Sequence, residues 1–345
     1  MMKNVLLFCV AALVAVSGVM AGGSKDRKVV SDDDYVLQIG EPVEGGLCEA
    51  PFYIAIEKGF YDEEGLKYNR YRMEPGTAMN LLTTGQIDVT NNLLATLIQP
   101  IANGLDVKIP IALHTGCVKL LVAPNSPIQG PKDFKARRAD GKKWVIGVAS
   151  LNASTKVIPS RVFASNGIIP DGENADVEWV IYPNAELPLA LDRGLVDAIG
   201  LGDPNASIIE VDGKARVVIN NATDDILKNE FCCVAPVRSK AVEEHPETIA
   251  KFLRALQKAA KWVQENPDET ARIITEKKYI AGEVEVNARV LKTYSYKASV
   301  SQAQVAIERN ARELQQIGIV SADVDVPALV KNTYFVVPGV PDSLF

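Results

Sequence analysis

The sequence has few of the residues that enzyme and metal sites most often use. Its 345 residues include two histidines and five cysteines, and none of the cysteines forms a Cys-x-x-Cys pair. No nucleophile stands at a diagnostic spacing from a base, and no phosphate-binding loop is present. Basic residues are also in deficit, because 37 Lys and Arg stand against 43 Asp and Glu, for a net charge of -6. This balance argues against nucleic acid and anionic membrane surfaces as partners.

Long apolar runs are absent after the first 21 residues. Lys3 precedes an apolar run over residues 5–16, and small residues follow up to Ala21. This arrangement is typical of a secretory signal peptide, and it predicts residues 1–21 as the signal, cleaved after Ala21. The run is too short to span a bilayer. A lipoprotein would need a cysteine where Gly22 stands, so we expect a soluble protein of the bacterial periplasm.

What the sequence does contain is one order of elements that occurs twice. Strand, helix, strand, helix and strand follow one another over residues 35–89 and again over residues 144–199. In each copy a glycine ends a helix three residues before an aspartate at the head of a strand. These residues are Gly85 with Asp88 and Gly194 with Asp197. The repeat predicts an α/β protein with two similar lobes, for which the length suffices.

Two long extended passages predict how the lobes are connected. Residues 109–122 lead out of lobe 1, and residues 230–237 lead back to it. The predicted organisation is residues 35–118 for the first part of lobe 1, 119–230 for lobe 2, and 231–345 for the return strand and the C-terminal helices that complete lobe 1. Helices are predicted where a proline or polar loop opens an apolar pattern: 50–58, 75–82, 154–164, 183–193 and 246–265. Pro159 predicts a kink in the third of these helices or a later start.

Five stretches along the chain occur in a characteristic order. They are residues 50–60 (APFYIAIEKGF), 82–88 (LTTGQID), 190–197 (ALDRGLVD), 203–204 (DP) and 261–269 (KWVQENPDE). As an ordered set they resemble ABC-importer substrate-binding proteins of the nitrate, sulfonate, taurine and thiamine-precursor type. The resemblance implies the type II periplasmic-binding-protein fold, with two crossing hinge strands and a ligand in the interlobe cleft. It also implies no cofactor, a monomeric chain, a small polar solute as ligand and a permease in the inner membrane as partner.

In such sheets a ligand sits beyond the carboxyl ends of the strands, where helices begin. The loops at these positions supply the candidate ligand-binding residues, although a helix cap is the alternative role for each polar one. The candidates are Gly46, Cys48, Glu49, Thr77, Asn91, Asn92, His114, Thr115, Asn152, Ser154, Asn184, Glu186 and Asp203. Carboxylates outnumber cations among them, and Lys156 is the nearest basic residue. This disfavours a bare inorganic anion and favours a ligand with amino or hydroxyl donors.

Four cysteines remain beyond the predicted signal peptide. Cys117 lies on the outgoing passage, while Cys232 and Cys233 lie on the returning one. Two interpretations are therefore open: a disulfide between the passages, or small side chains that are simply buried where the passages cross. Adjacent strand residues face opposite ways, so only one of the pair is expected to face Cys117. A third interpretation is a soft-metal or thiol site of His114, Cys117 and Cys48, which no second nearby histidine accompanies.

An enzyme is the alternative to a binding protein. A cysteine- and histidine-rich pyrimidine-precursor synthase shares the fold, and residues 231–234 (FCCV) resemble it. Besides His114 the chain has only His245, which precedes a predicted helix and is expected at the surface. We therefore expect a non-catalytic protein that captures a sulfonate, a taurine-like zwitterion or a pyrimidine or thiamine precursor for an importer. A ligand-sensing protein for a membrane receptor would use the same cleft and stays open.

Overall fold

The computed structural model describes residues 34–74 and 76–345, so the predicted signal peptide lies outside the described residues. The strands are β1 (Leu37–Pro42), β2 (Tyr68–Met73), β3 (Val89–Thr90), β4 (Asn92–Leu93), β5 (Val107–Lys108), β6 (Ala112–Thr115), β7 (Val118–Val122), β8 (Trp144–Val148), β9 (Val177–Ile181), β10 (Ala198–Gly202), β11 (Arg216–Asn220), β12 (Phe231–Val234) and β13 (Val237–Arg238).

The α-helices are α1 (Ala50–Glu57), α2 (Phe60–Glu63), α3 (Ala78–Thr84), α4 (Leu94–Ala102), α5 (Ser154–Ser165), α6 (Leu187–Asp192), α7 (Asn205–Val211), α8 (Ser239–Glu244), α9 (Pro246–Glu265), α10 (Pro267–Glu276), α11 (Val284–Leu291), α12 (Val300–Gln316) and α13 (Val326–Thr333). Short 3₁₀ helices span Leu47–Glu49, Pro131–Lys135 and Asn184–Glu186. Among the described residues no helix combines the length and the apolar character of a membrane span.

Two five-stranded sheets organise these elements. The first sheet has the order β2-β1-β3-β13-β5, with β1, β2 and β3 parallel and β13 antiparallel to its neighbours. The second sheet has the order β11-β7-β10-β8-β9, in which β8, β9 and β10 are parallel to one another and β7 is antiparallel to both of its neighbours, β10 and β11. The chain leaves the first sheet after β5, builds the whole second sheet, and rejoins the first sheet at β13. The chain therefore crosses between the two sheets twice, as the sequence predicts.

The crossing passages pair with each other in a third, small sheet of order β4-β12-β6. Here β12 is antiparallel to β6, and its register shifts on both sides of Cys233. Because of these irregularities the strand does not alternate strictly, and the sulfurs of Cys232 and Cys233 lie 3.4 and 4.0 Å from that of Cys117. The expectation that only one of the pair faces Cys117 is therefore wrong. The four described cysteines are free thiols.

The repeated glycine–aspartate pattern has the same structural role in both sheets. The side chain of Asp88 accepts the N–H of Gln38 at 2.9 Å, and its own N–H donates to the Gln38 carbonyl at 2.8 Å. Asp197 makes the same two bonds with Val145, each of 2.8 Å. In each sheet the aspartate thus connects an inner strand to the strand that opens the repeat. Since these aspartates serve as connectors, β3 and β10 begin one residue after them and later than predicted.

Helix α5 begins at Ser154 and continues through Pro159, so the later start that the proline predicts is not observed. Proline cannot donate to the carbonyl four residues earlier, which belongs to Thr155. That carbonyl packs against Gly200 of β10, where a Cβ would collide with the oxygen. The absence of a side chain at residue 200 therefore lets the helix approach the second sheet closely.

His245 is not at the surface as predicted. It is 6 % exposed, and its ring stacks on that of Tyr35 with centroids 3.6 Å apart. The segment before β1 covers the start of α9, which buries the imidazole. Nearby, α1, α2 and α9 pack through the rings of Phe52, Tyr61 and Phe252. The ring centroid of Phe252 lies 5.8 Å from that of Phe52 and 5.9 Å from that of Tyr61. Each such buried ring contributes about 2–3 kcal/mol of hydrophobic stabilisation.

A buried ion-pair network connects α5 to α12. Two guanidinium nitrogens of Arg161 donate to the two carboxylate oxygens of Glu230 at 2.8 and 2.7 Å. The third, Nε, donates to Glu313 at 2.6 Å, and the Nδ2 of Asn310 donates to Glu230 at 2.8 Å. Helix α5 packs on the second sheet, whereas α12 belongs to the C-terminal part of the chain. The network therefore holds these two parts together beside the returning passage.

Candidate functional site

Two adjoining cavities lie between residues of the first and second sheets. One, of about 650 Å³, is lined by residues that follow β1 and β10, among them Glu49 and Asp203. The other, of about 600 Å³, is lined by residues at the starts of α4 and α5. Ala149, Ala153, Ser154 and Asn184 line both cavities, so the two form one continuous cleft. We refer to the first as the charged cavity, for Glu44, Glu49, Asp203 and Lys278, and to the second as the uncharged cavity.

The uncharged cavity is bordered by two helix starts. None of its described lining residues carries a charge. Asn92, Ala95 and Thr96 come from the start of α4, while Ala153 and Ser154 come from the start of α5. The first N–H groups of a helix have no partner within the helix and carry a partial positive charge. Two helix starts and several hydroxyl and amide side chains can therefore bind an anion without a lysine or arginine.

The charged cavity presents Glu49 at the start of α1. Its two carboxylate oxygens accept the N–H of Gly46 at 2.8 Å and the Nδ2 of Asn91 at 3.0 Å. Burial raises the pKa of Glu49 to about 7, and the neighbouring Cys48 adds to the effect. Near neutral pH this carboxyl group can therefore either accept a hydrogen bond as the carboxylate or donate one as the acid.

Asp203 lies on the opposite wall and is already occupied by protein groups. One of its oxygens accepts the N–H and hydroxyl of Ser207 at 3.1 and 2.7 Å, and the other accepts the hydroxyl of Tyr294 at 2.8 Å. The amine of Lys119 lies 3.6 Å away. The helix-cap role left open for Asp203 is thus present, and this side chain shapes the wall of the cavity.

Most of the predicted site residues line the cleft. Those in the charged cavity, the uncharged cavity or both are Gly46, Cys48, Glu49, Asn92, Asn152, Ser154, Asn184 and Asp203. They come from segments up to 157 residues apart in the sequence, Gly46 and Asp203 being the extremes. The helix-opening loops that carry these eight residues therefore meet at the cleft.

The other predicted residues do not line either cavity. Asn91 supports the site indirectly through its bond to Glu49. The hydroxyl of Thr77 donates to the Glu74 carbonyl at 2.7 Å. His114 and Thr115 are 0 % and 4 % exposed in β6, below the cleft. Glu186 is exposed and lines neither cavity.

Among the described residues, the basic side chain that lines the cleft is that of Lys278 and not that of Lys156. Lys156 is 5 % exposed, and its amine donates to Asp171 at 2.7 Å on another side of α5. Lys278 follows α10 with a positive φ of 59° and lines the charged cavity. Glycine or asparagine usually takes this left-handed position after a helix. The sequence carries neither residue there, so no local signal marks the turn that brings Lys278 to the site.

Residues 46–276 match the model of the NMT1-like family. The chain belongs to the NMT1-like family. A Bacillus subtilis (strain 168) protein with the provisional name aliphatic sulfonates-binding protein is 26% identical over 344 residues, which cover 96% of each chain. The family resemblance predicted from the sequence is confirmed.

Solved structures show the fold of this NMT1-like protein. The periplasmic aliphatic sulphonate binding protein SsuA of Escherichia coli superposes with a TM-score of 0.68 at 16% identity, over 90% of this chain and 95% of its own. The periplasmic nitrate-binding protein NrtA of Synechocystis PCC 6803 gives a TM-score of 0.69 at 16% identity, over 86% and 85%. The predicted periplasmic-binding-protein fold is therefore confirmed. These similar proteins are named as binding proteins and not as enzymes.

Proposed function

We propose that this NMT1-like protein is the periplasmic solute-binding component of an ABC importer. Lobe 1 comprises residues 35–118 and 231–345, and lobe 2 comprises residues 119–230. The two lobes close on the solute by a hinge motion at the two crossing passages. The observation that carries the proposal is the continuous cleft at which α1, α4 and α5 all begin. Volumes of about 600 and 650 Å³ are in the range of small-molecule sites. The partner that receives the solute is a permease of the inner membrane.

The solute carries an anionic group at one end and a hydrogen-bond donor at the other. The helix starts of the uncharged cavity suit the anion. The carboxyl group of Glu49 has a raised pKa but can still accept a hydrogen bond, so it suits an ammonium or amino group in the charged cavity. A taurine-like zwitterion has both groups, whereas an aliphatic sulfonate has the first and an aminopyrimidine the second. The sulfonate and nitrate binding of the similar proteins supports the anionic half of the proposal.

Ligand capture tests this proposal directly. The chain is purified without refolding, any bound molecule is released and identified by mass spectrometry, and a thermal-shift panel follows with taurine, an alkanesulfonate, nitrate and an aminopyrimidine. A ligand that binds only the native state raises the unfolding midpoint. We expect taurine to raise the midpoint most and nitrate least. If none of the four moves the midpoint and no small molecule is released, the chain is not a binding protein for this class of solute.

A pair of glutamate variants tests the orientation of the solute. Glu49→Gln removes the charge that faces the donor group, and we expect the affinity for taurine to fall about 10- to 100-fold. Glu186→Gln makes the same chemical change at an exposed position outside the cleft and leaves the affinity unchanged. Isothermal titration calorimetry measures both. Equal affinities for the two variants would remove Glu49 from the site.

A further inference from the structure

Four thiols and one imidazole meet at the base of the charged cavity. We call Cys48, His114, Cys117, Cys232 and Cys233 the thiol cluster; their exposures are 8, 0, 2, 7 and 0 %. The sulfur of Cys117 lies 3.4 Å from that of Cys232 and 4.0 Å from that of Cys233, and the latter two lie 3.8 Å apart. A ring nitrogen of His114 lies within 4.8 Å of the Cys232 and Cys233 sulfurs. The cluster joins the 3₁₀ helix before α1, β6, the turn between β6 and β7, and β12.

The sulfur spacing matches a tetrahedral metal site. A zinc–sulfur bond of about 2.3 Å places two sulfurs of a tetrahedron about 3.8 Å apart. The three distances among Cys117, Cys232 and Cys233 deviate from this value by at most a few tenths of an ångström. The three sulfurs are therefore spaced as the corners of one triangular face of a zinc tetrahedron.

The imidazole of His114 has the hydrogen bonding of a metal ligand. Its Nδ1 donates to the Thr115 carbonyl at 3.0 Å, since a carbonyl oxygen can only accept. Its Nε2 is buried and has no hydrogen-bond partner among the described residues. A histidine that binds zinc characteristically donates its other ring N–H to such a carbonyl. The rings of Tyr294 and Tyr296, with centroids 5.6 and 4.9 Å away, hold the imidazole plane.

The backbone at Cys117 is also unusual. Its φ of 112° is rare for a residue with a side chain, and the preceding Gly116 has a φ of 93°. Such strain persists only where the surrounding structure holds it, and it is common at functional sites. Here it coincides with the turn that brings the Cys117 sulfur into the cluster.

We propose that Cys117, Cys232, Cys233 and His114 bind a single zinc ion, which clamps the two crossing passages together below the solute cleft. Three thiolates and a neutral imidazole leave the buried site with a net charge of -1. A fourth thiolate from Cys48 would raise this to -2 beside Glu49, at a larger cost of burial. On this charge argument Cys48 is assigned to the wall of the charged cavity and not to the ion, with its sulfur within 4.8 Å of those of Cys117 and Cys233.

Metal analysis of the native protein tests this assignment. The full chain is purified without chelator, its zinc is measured by plasma mass spectrometry, and its zinc is then exchanged for cobalt(II). We expect one zinc per chain, thiolate-to-cobalt charge-transfer absorption, and a lower unfolding midpoint after a strong chelator removes the metal. Cys233→Ser and His114→Gln are expected to lose the zinc. Cys48→Ser, the matched control in the same buried cluster, is expected to keep it.

Other outcomes overturn the proposal. They are four free thiols with no metal, a disulfide between Cys117 and Cys232 or Cys233 in the mass spectrum, or copper or iron in place of zinc. Loss of zinc in Cys48→Ser would also contradict the ligand set. If Cys233→Ser does not fold, X-ray absorption at the zinc edge of the unaltered protein decides: three sulfurs and one nitrogen support the assignment, and four sulfurs refute it.

Discussion

Neutralising Glu230 is expected to destabilise the protein strongly. The side chains of Arg161 and Glu230 are 2 % and 6 % exposed, and they form a salt bridge with two hydrogen bonds. Glu230→Gln leaves the buried guanidinium with one carboxylate, that of Glu313, which is 28 % exposed. Loss of one partner of a buried pair costs about 3–5 kcal/mol. Because Glu313 compensates in part, we expect a loss near the lower end, about 3 kcal/mol.

Urea unfolding followed by circular dichroism measures this loss. The midpoint should fall while the slope against urea stays constant, as expected when the variant changes stability and not the surface exposed on unfolding. Glu308→Gln is the matched control, because its pair with Arg312 joins side chains that are 47 % and 52 % exposed. Such a surface pair contributes less than about 0.5 kcal/mol. If Glu230→Gln loses no more stability than Glu308→Gln, the buried network does not hold α5 to α12.

Three further predictions follow from local contacts. Gly200→Ala places a Cβ against the Thr155 carbonyl and should cost about 1–3 kcal/mol in the same urea assay; an unchanged midpoint would refute the close approach. Asp197→Asn weakens the hydrogen bond that the side chain accepts from the Val145 N–H in β8, and it should lower the stability by about 1–2 kcal/mol. An unchanged stability would contradict the proposal that Asp197, like Asp88, connects two strands. The pKa of Glu49 is raised from 4.5 to about 7, so its contribution to stability is present below pH 4.5 and is lost as the pH rises to 7. Glu49→Gln should remove that part of the pH dependence of the urea midpoint, and identical profiles would contradict the raised pKa.

The elements and their repeat could be predicted because their signals are local. The apolar spacing of α9, with Pro246 at its start, is contained within one segment of sequence. The helix-ending Gly85 and Gly194 and the aspartates three residues later are equally local, and both copies make the same bonds in the structure. Two such copies separated by extended passages predict the order of the sheets and the place of the cleft.

Long-range packing decided which side chains reach the cleft. Lys156 and Glu186 lie on helix-opening segments as the sequence predicts, yet the former faces Asp171 and the latter faces solvent. Lys278 enters the cleft from a C-terminal turn that no glycine or asparagine marks. The direction of a side chain depends on how its helix rotates against segments far away in the chain, and a single segment does not carry that information.

The sequence by itself determined the α/β class, the repeated element order, the family and the loops from which the site is built. Only the tertiary structure decided that the cleft has an uncharged and a charged part, that Asp203 is held by Ser207 and Tyr294, and that both Cys232 and Cys233 reach Cys117. The physical reason is that hydrophobic periodicity and turn chemistry act within a segment. Charge balance, hydrogen-bond partners and strand register arise only where distant segments meet.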